Sequence, residues 1–401
     1  MAAPPPKADI DWANLSLAAN LTVNGHIEIR HSRSTNTWSN PVFVSSPNIS
    51  INGLSPALNY GQQCYEGLKA FRVPLSSSSP QTKIHIFRPK FHSARLSRSA
   101  ASIMLPCPSE ALFLESLRQA VAQNAEYVPP HDTDSYLYIR PVLFGSSANL
   151  ALSPGEETIL AIYVQPIRPY HGSDALDGLV LDEFDRAAPR GMGQFKVGGN
   201  YAPVWRHQAR AKEMGYGITL HLDSKEREFV EEFSTSGFLG HYTSTQKKKD
   251  VLVVPVTESA IASTTADSII RLAELDDQHW TVEKKELRFG EVGDLDEVVA
   301  VGTAASAVPI RSITRLETDQ KFVFDKSENG KLKGLAGRMA DIQRGRATDT
   351  EDWCWVVDGY ENTSVAVTDP VEVKAAELRG GGGLFGAIAA RLGLWGSAKS
   401  A

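Results

Sequence analysis

The chain has 401 residues, of which 42% are hydrophobic and 22% charged, with a formal net charge of −6. That length accommodates two domains with separate cores, the composition excludes disordered and fibrous classes, and the mild acidity offers no electrostatic basis for binding nucleic acid or an anionic membrane. An enzyme acting on small molecules fits these bounds. No apolar run reaches the roughly 18 residues that a membrane span requires. The N-terminal stretch lacks the apolar core of a signal peptide and the arginines of a transit peptide, and the terminal SAKSA does not match a peroxisomal address, so a cytoplasmic protein is expected. Cys64, Cys107 and Cys354 are too far apart for a CxxC pair or a zinc set; they are expected as reduced thiols packed like small hydrophobes, with no metal bound.

In chain order, residues 1–20 are rich in Pro and Ala and are expected as an extended arm. Residues 69–72 and 83–87 form a hairpin-like pair around a turn at 76–80. A helix is predicted over 89–102, with Phe91, Ala94, Arg95 and Arg98 at helical spacing, and another near 108–127. Strands are predicted over 136–142 and 158–166 from their β-branched and aromatic content. The Pro- and Gly-bearing stretch 166–178 marks a domain boundary, and a glycine-rich loop at 187–199 leads into a helix from Asn200 to Gly215.

Residues 219–222 and 228–232 suggest a further hairpin, and the lysines at 247–249 a solvated loop. Thr264 and Thr265 open a helix carrying Ile269, Ile270, Leu272 and Leu275, and such a hydroxyl-bearing helix N-terminus is a natural phosphate seat. A short strand at 297–301 runs into Gly302-Thr303-Ala304, a turn of small residues whose backbone N–H groups can be approached closely. The tail at 380–401 is given no function. Strands and helices mix without a regular βαβ alternation, so the fold class is α+β (mixed α/β) with two unequal domains, 21–165 and 179–379, joined by the loop at 166–178.

Alone, Lys196 in its glycine-rich loop is an ordinary solvated lysine. The set around it carries more. Arg186-Ala187-Ala188-Pro189 is followed by Gly191, Gly193, Lys196 and Gly198-Gly199-Asn200-Tyr201-Ala202-Pro203; upstream stand Leu58-Asn59-Tyr60-Gly61, Tyr65-Glu66-Gly67-Leu68-Lys69-Ala70-Phe71-Arg72, Phe87-Arg88-Pro89 with Ala94-Arg95-Leu96 and Ser99-Ala100, and Leu137-Tyr138-Ile139-Arg140-Pro141. Downstream come Glu231-Glu232-Phe233-Ser234-Thr235-Ser236, Thr264-Thr265, Gly302-Thr303-Ala304-Ala305 and Ile342-Gln343-Arg344-Gly345. From about Leu54 to about Asp358 this series resembles the branched-chain amino-acid aminotransferases among the fold-type IV pyridoxal-phosphate enzymes.

The resemblance implies pyridoxal 5'-phosphate as cofactor, seated between a smaller substrate-side domain and a larger cofactor-binding domain. It makes Lys196 the catalytic residue, whose neutral amine carries the cofactor and then moves the substrate's α-proton. Glu232 is the carboxylate facing the pyridine nitrogen; Glu231 competes, but the two point to opposite faces of a strand. Tyr201 is implied to bond the phenolic oxygen, and Arg95, Thr264, Thr265 and Thr303 to hold the phosphate, with Arg88 and Arg98 structural. Tyr60, Tyr65, Tyr138, Arg140, Ala304 and Ala305 fall at the substrate pocket.

Two departures from the family pattern stand out: Ile261-Ala262-Ser263 replaces a usual Leu-Pro-Gly, and Gly237 a usual asparagine. Neither removes a charged catalytic group, and both bear on substrate identity. The expected reaction is amino transfer between a branched-chain L-amino acid and 2-oxoglutarate in amino-acid biosynthesis, by a homodimer. The alternatives are the same chemistry on an unusual amino or keto acid in a specialised pathway, a D-amino-acid or R-amine transferase, a lyase of the same fold, and a binding protein, the last opposed by the presence of Lys196 and Glu232.

Overall fold

The computed structural model describes residues 2–15, 21–76, 79–169, 174–246, 248–303, 306–324 and 330–360. Their strands make two sheets, each of nine strands among the described residues. In the first, Cys354–Val357, Thr82–Phe87, Leu68–Pro74, Tyr136–Gly145, Glu157–Ile167, His26–Ser32 and Thr37–Trp38 lie in that order, with Val42–Val44 beside His26–Ser32 and Gln63–Tyr65 beside Tyr136–Gly145. All these pairings are antiparallel, and the strand at Cys354–Val357 brings the later chain back to the first sheet.

The second sheet runs Val230–Phe233, Ile218–Leu222, Leu176–Val180, Ser306–Arg315, Glu297–Gly302, Gly237–Ser244, Lys249–Pro255 and Trp280–Lys285, with Gln320–Val323 beside Ser306–Arg315. It mixes parallel and antiparallel pairs. Neighbouring parallel strands need a crossover, and for two of the three parallel pairs a helix lies in it. Trp205–Glu213 links Leu176–Val180 to Ile218–Leu222, and Thr264–Leu275 links Lys249–Pro255 to Trp280–Lys285. The second crossover delivers the N-terminus of Thr264–Leu275 to the site described below. The mixed helix-and-sheet class expected from the sequence is the class observed.

One apolar cluster lies on the first sheet around Ile29, Leu68, Leu117 and Leu143, and another on the second around Leu220, Phe233, Val251 and Ile310. A third joins them: Phe71, Phe87 and Tyr136 meet Leu239, Ile269 and Leu335. Burying each such side chain contributes about 1.5–3 kcal/mol, so the seam between the sheets is an apolar one.

The helix Pro89–Ser102 has its predicted bounds, whereas the helix expected near 108–127 is Glu110–Ala122, capped by the Ser109 side chain and followed by a 3₁₀ turn at Ala125–Tyr127. The helix expected from Asn200 begins only at Trp205, after 3₁₀ turns at Gly198–Asn200 and Ala202–Val204. Lys249 opens a strand instead of lying in a loop. Lys247, Ala304, Ala305 and the tail at 380–401 lie outside the described residues. Among the described residues no helix is long and apolar enough to cross a membrane, and no group of His, Cys, Asp and Glu is arranged to hold a metal.

Candidate active site

Lys196 lies in a stretch without regular structure, so contacts to other elements fix it. The Tyr65 amide donates to the Lys196 carbonyl at 3.1 Å, the Lys196 amide donates to Ser99 Oγ at 2.9 Å, and Cys64 bridges Val197. Asn200 Nδ2 closes the loop from the far side by donating to the Met192 and Phe195 carbonyls at 2.7 and 3.0 Å. The loop is thereby strapped to the first sheet and to the helix Pro89–Ser102.

The Lys196 side chain enters a cavity also lined by Tyr65, Arg95, Tyr138, Arg140, Tyr201, Glu232 and Thr303. Lys196 Nζ donates to Tyr201 Oη at 2.9 Å and stands 4.7 Å from the Tyr65 ring centroid. Burial opposes ionisation of Tyr201, but the Lys196 charge and hydrogen bond outweigh it and hold the phenol below its ordinary range. Burial pushes the Tyr65 phenol far up. Arg140 Nη2 donates to Tyr138 Oη at 2.8 Å, and its guanidinium lies over the Tyr65 ring at 4.6 Å.

Alternation along Val230–Phe233 sends Glu232 into the Lys196 cavity and Glu231 away from it, where Glu231 Oε1 accepts from Thr257 Oγ1 at 3.2 Å. Glu232 Oε1 accepts from Arg186 Nη2 and, at 3.3 Å, from the Ile261 amide. Burial pushes its carboxyl up to about 7, with the Arg186 charge and the Ile261 amide pulling back.

Arg95 projects from the buried stripe of its helix, which is His92, Arg95, Leu96 and Ser99; Ala94 and Arg98, expected at helical spacing with it, are exposed. Apolar periodicity misleads here because the buried face carries polar residues for the site. Thr264 and Thr265 occupy the first turn of Thr264–Leu275, which is capped by Ser263 Oγ accepting from the Ala266 amide at 3.2 Å. Both threonines are buried and line a neighbouring small cavity with His92, Lys69 and Ser306, and Thr303 borders both spaces.

Among the described residues, Tyr60 is the expected site residue that lines neither of these two cavities. It ends the helix Pro56–Tyr60, is 46% exposed, and donates to the Leu150 carbonyl at 3.0 Å. Gly61, at φ 67°, turns the chain there, so Tyr60 and Tyr65 project to different places. Ala304 and Ala305, the other two expected residues of the substrate pocket, fall outside the described residues.

Several lining or supporting residues carry no assignment from the sequence. Ser234, Thr235, Ser236, Ile261 and Ser263 line the Lys196 cavity, and Glu66 and His92 stand behind Arg95. The spacing of His92, Arg95 and Ser99 is the available signal: three polar residues on one helical face. Lys69 is also buried; its Nζ donates to Ser306 Oγ at 2.7 Å, and burial, with the nearby Arg344 charge, brings its amine down to about 7. The two departures from the family pattern meet on one wall. A β-carbon at Gly237 would stand 3.7 Å from Ser263 Cβ.

These residues suit pyridoxal 5'-phosphate. A lysine amine, a buried carboxylate, an arginine with N–H groups beyond those already committed, and the unbonded amides of a helix's first turn surround adjoining spaces. Gly67 keeps the wall open, because a β-carbon there would collide with the Tyr138 hydroxyl.

A family model for class IV amino-transferases matches residues 65–313, a span that contains the Lys196 loop and most of the second sheet. The aminotransferase poxL of Penicillium oxalicum is 44% identical over 354 residues, covering 88% of this chain and 94% of that protein. The branched-chain amino acid aminotransferase gloG of Glarea lozoyensis is 40% identical over 359 residues, covering 88% of this chain and 97% of that one. The branched-chain amino acid aminotransferase from Thermobaculum terrenum, solved in its PLP form, superposes with a TM-score of 0.65 at 19% identity, covering 84% of this chain and 99% of that one, a likeness of fold. With relatives matched over most of both chains and a family model spanning the lysine, the carboxylate and the tyrosines of one cavity, this chain belongs to the class IV aminotransferases.

Proposed function

We propose that the chain moves an amino group between a branched-chain L-amino acid and 2-oxoglutarate, as a cytoplasmic homodimer in amino-acid biosynthesis. The observation that carries the reading is Lys196 Nζ at 2.9 Å from Tyr201 Oη in a cavity shared with Glu232 and Arg95. Pyridoxal 5'-phosphate supplies an aldehyde and an electron-withdrawing ring when bound.

The chain's own residues do the rest. Lys196 carries the cofactor and then, as general acid and base, moves the α-proton. Glu232 faces the ring nitrogen and, when ionised, keeps it protonated. Tyr201 donates to the phenolic oxygen, a role that a hydroxyl held below its usual range and already bonded to Lys196 can fill. Arg95, Thr264, Thr265 and Thr303 hold the phosphate, and Arg88 and Arg98 are structural. Tyr65, Tyr138 and Arg140 wall the substrate, aromatic faces for an aliphatic side chain and a guanidinium for an anionic one, so amino and keto acid can use the same space in turn.

The same chemistry on an unusual amino or keto acid is favoured by one observation, the Gly237 and Ser263 wall, where this chain departs from the branched-chain pattern inside the cavity. The absorbance of the purified protein during successive addition of L-leucine and 2-oxoglutarate separates the readings. A cofactor band that bleaches with leucine and returns with the keto acid is expected. A band indifferent to leucine moves the substrate to another amine, and no band even after added cofactor removes the reading altogether.

A further inference from the structure

Glu66 is wholly buried, at 0% exposure, and no role above uses it. Its Oε1 accepts from Arg95 Nε at 2.7 Å; its Oε2 accepts from Arg95 Nη2 at 2.6 Å, lies 2.6 Å from His92 Nδ1, and accepts from the Gly67 amide at 3.3 Å. Burial opposes its charge, yet Arg95 and His92 hold its carboxyl well below the usual range. Burial also holds His92 below its ordinary value against the pull of Glu66, which favours the neutral ring. With Glu66 accepting at Nδ1, the proton belongs there and Nε2 is an acceptor, 3.3 Å from Thr264 Oγ1. The Thr264 hydroxyl is thereby committed to His92, leaving the backbone N–H groups of its turn for an anion. Arg95 is fixed a third time by donating from Nη1 to the Ala262 carbonyl at 2.6 Å.

We propose that Glu66 is a positioning residue for the cofactor phosphate: it aims Arg95 directly and, through His92, the first turn at Thr264, joining the two halves of the anion seat. The proposal rests on the reading that Arg95, Thr264, Thr265 and Thr303 hold the phosphate. Without the carboxylate, Arg95 keeps the Ala262 carbonyl and a 3.3 Å approach of Nη2 to His92 Nδ1, and the forked geometry that orients its remaining N–H groups is lost. A carboxylate acting only as a counter-ion would have the opposite consequence, since a neutral glutamine would leave Arg95 more positive and tighten phosphate binding.

The test titrates the apo full-length chain with pyridoxal 5'-phosphate and with pyridoxal, which shares the ring and lacks the phosphate, following protein fluorescence. Wild type prefers the phosphorylated form. Glu66→Gln lowers that preference by roughly tenfold or more, the scale of one misaimed charge-assisted hydrogen bond, while pyridoxal affinity stays within about threefold. His92→Gln, which spares the Arg95 pair, gives a smaller loss. An unchanged or increased preference in Glu66→Gln overturns the proposal, and if that variant does not fold, an unchanged preference in His92→Gln overturns it. A wild-type chain without any preference removes the phosphate seat itself; preference that survives both variants removes the role of Glu66 alone.

Discussion

Two carboxylates near the Lys196 cavity are buried to nearly the same degree and each meets an arginine, yet they ionise in opposite senses. Glu66 is 0% exposed and held low; Glu232 is 4% exposed and pushed up to about 7. Burial is the largest influence on both and disfavours the charge in each. The difference lies in the donors. Glu66 has a two-pronged arginine, a histidine and an amide, whereas Glu232 has one arginine nitrogen and a long amide contact. Enclosure sets the cost of a buried charge, and the count and geometry of donors decide whether it is met. On the proposed reading, the phosphate side of the site is thus completed by the protein, and the ring side keeps a carboxylate whose charge a ligand can still claim.

Replacing the group both sides serve has the largest expected effect. Lys196→Ala loses turnover by about 10⁴-fold or more and loses the absorbance of covalently held cofactor; turnover surviving that change breaks the assignment. Glu232→Gln slows turnover by about 10²-fold or more while Glu231→Gln stays within a few-fold, measured as steady-state rates with leucine. The reverse order would move the ring-side role to Glu231.

Stability should run against activity. Glu66→Gln removes the two-pronged charge partner of a buried arginine and costs about 3 kcal/mol in denaturant unfolding of the apo chain, whereas Glu232→Gln, which takes a single contact from the buried Arg186 and removes a carboxyl that burial already holds high, costs less. The pH dependence sharpens this. A carboxyl raised in the folded state favours folding when protonated, so the Glu232 contribution is complete below its ordinary value and disappears as pH climbs through about 7. Glu66, held low, contributes above its ordinary value and loses that contribution as pH falls. Between pH 5 and 8 the wild-type apo chain should lose up to about 3 kcal/mol that Glu232→Gln does not; parallel curves would mean that Arg186 keeps Glu232 ionised throughout. The smallest effect expected is from Tyr60→Phe, under about twofold in cofactor affinity, because that hydroxyl faces Leu150 at the surface.

Much of this is legible in the chain because it is local. The helix at Pro89–Ser102 announces itself by its proline start, the lysine loop by its glycines, and the split of Glu231 from Glu232 by strand alternation.

What stays hidden depends on residues far apart in sequence. Ser99 holds the Lys196 amide across 97 positions, Glu66 reaches Arg95 across 29, and His92 meets Thr264 across 172. The spacing of His92, Arg95 and Ser99 puts them on one helical face, but no periodicity records which distant residue each will meet. Local sequence accounts for the mixed class, and it holds a lysine, carboxylates and tyrosines of the types that the proposed chemistry requires. Tertiary structure alone decided which of the two opposed carboxylates enters the cavity beside Lys196, that Tyr60 stays outside it, and which buried charges are satisfied, since ionisation inside a protein is set by donors that only folding brings within reach.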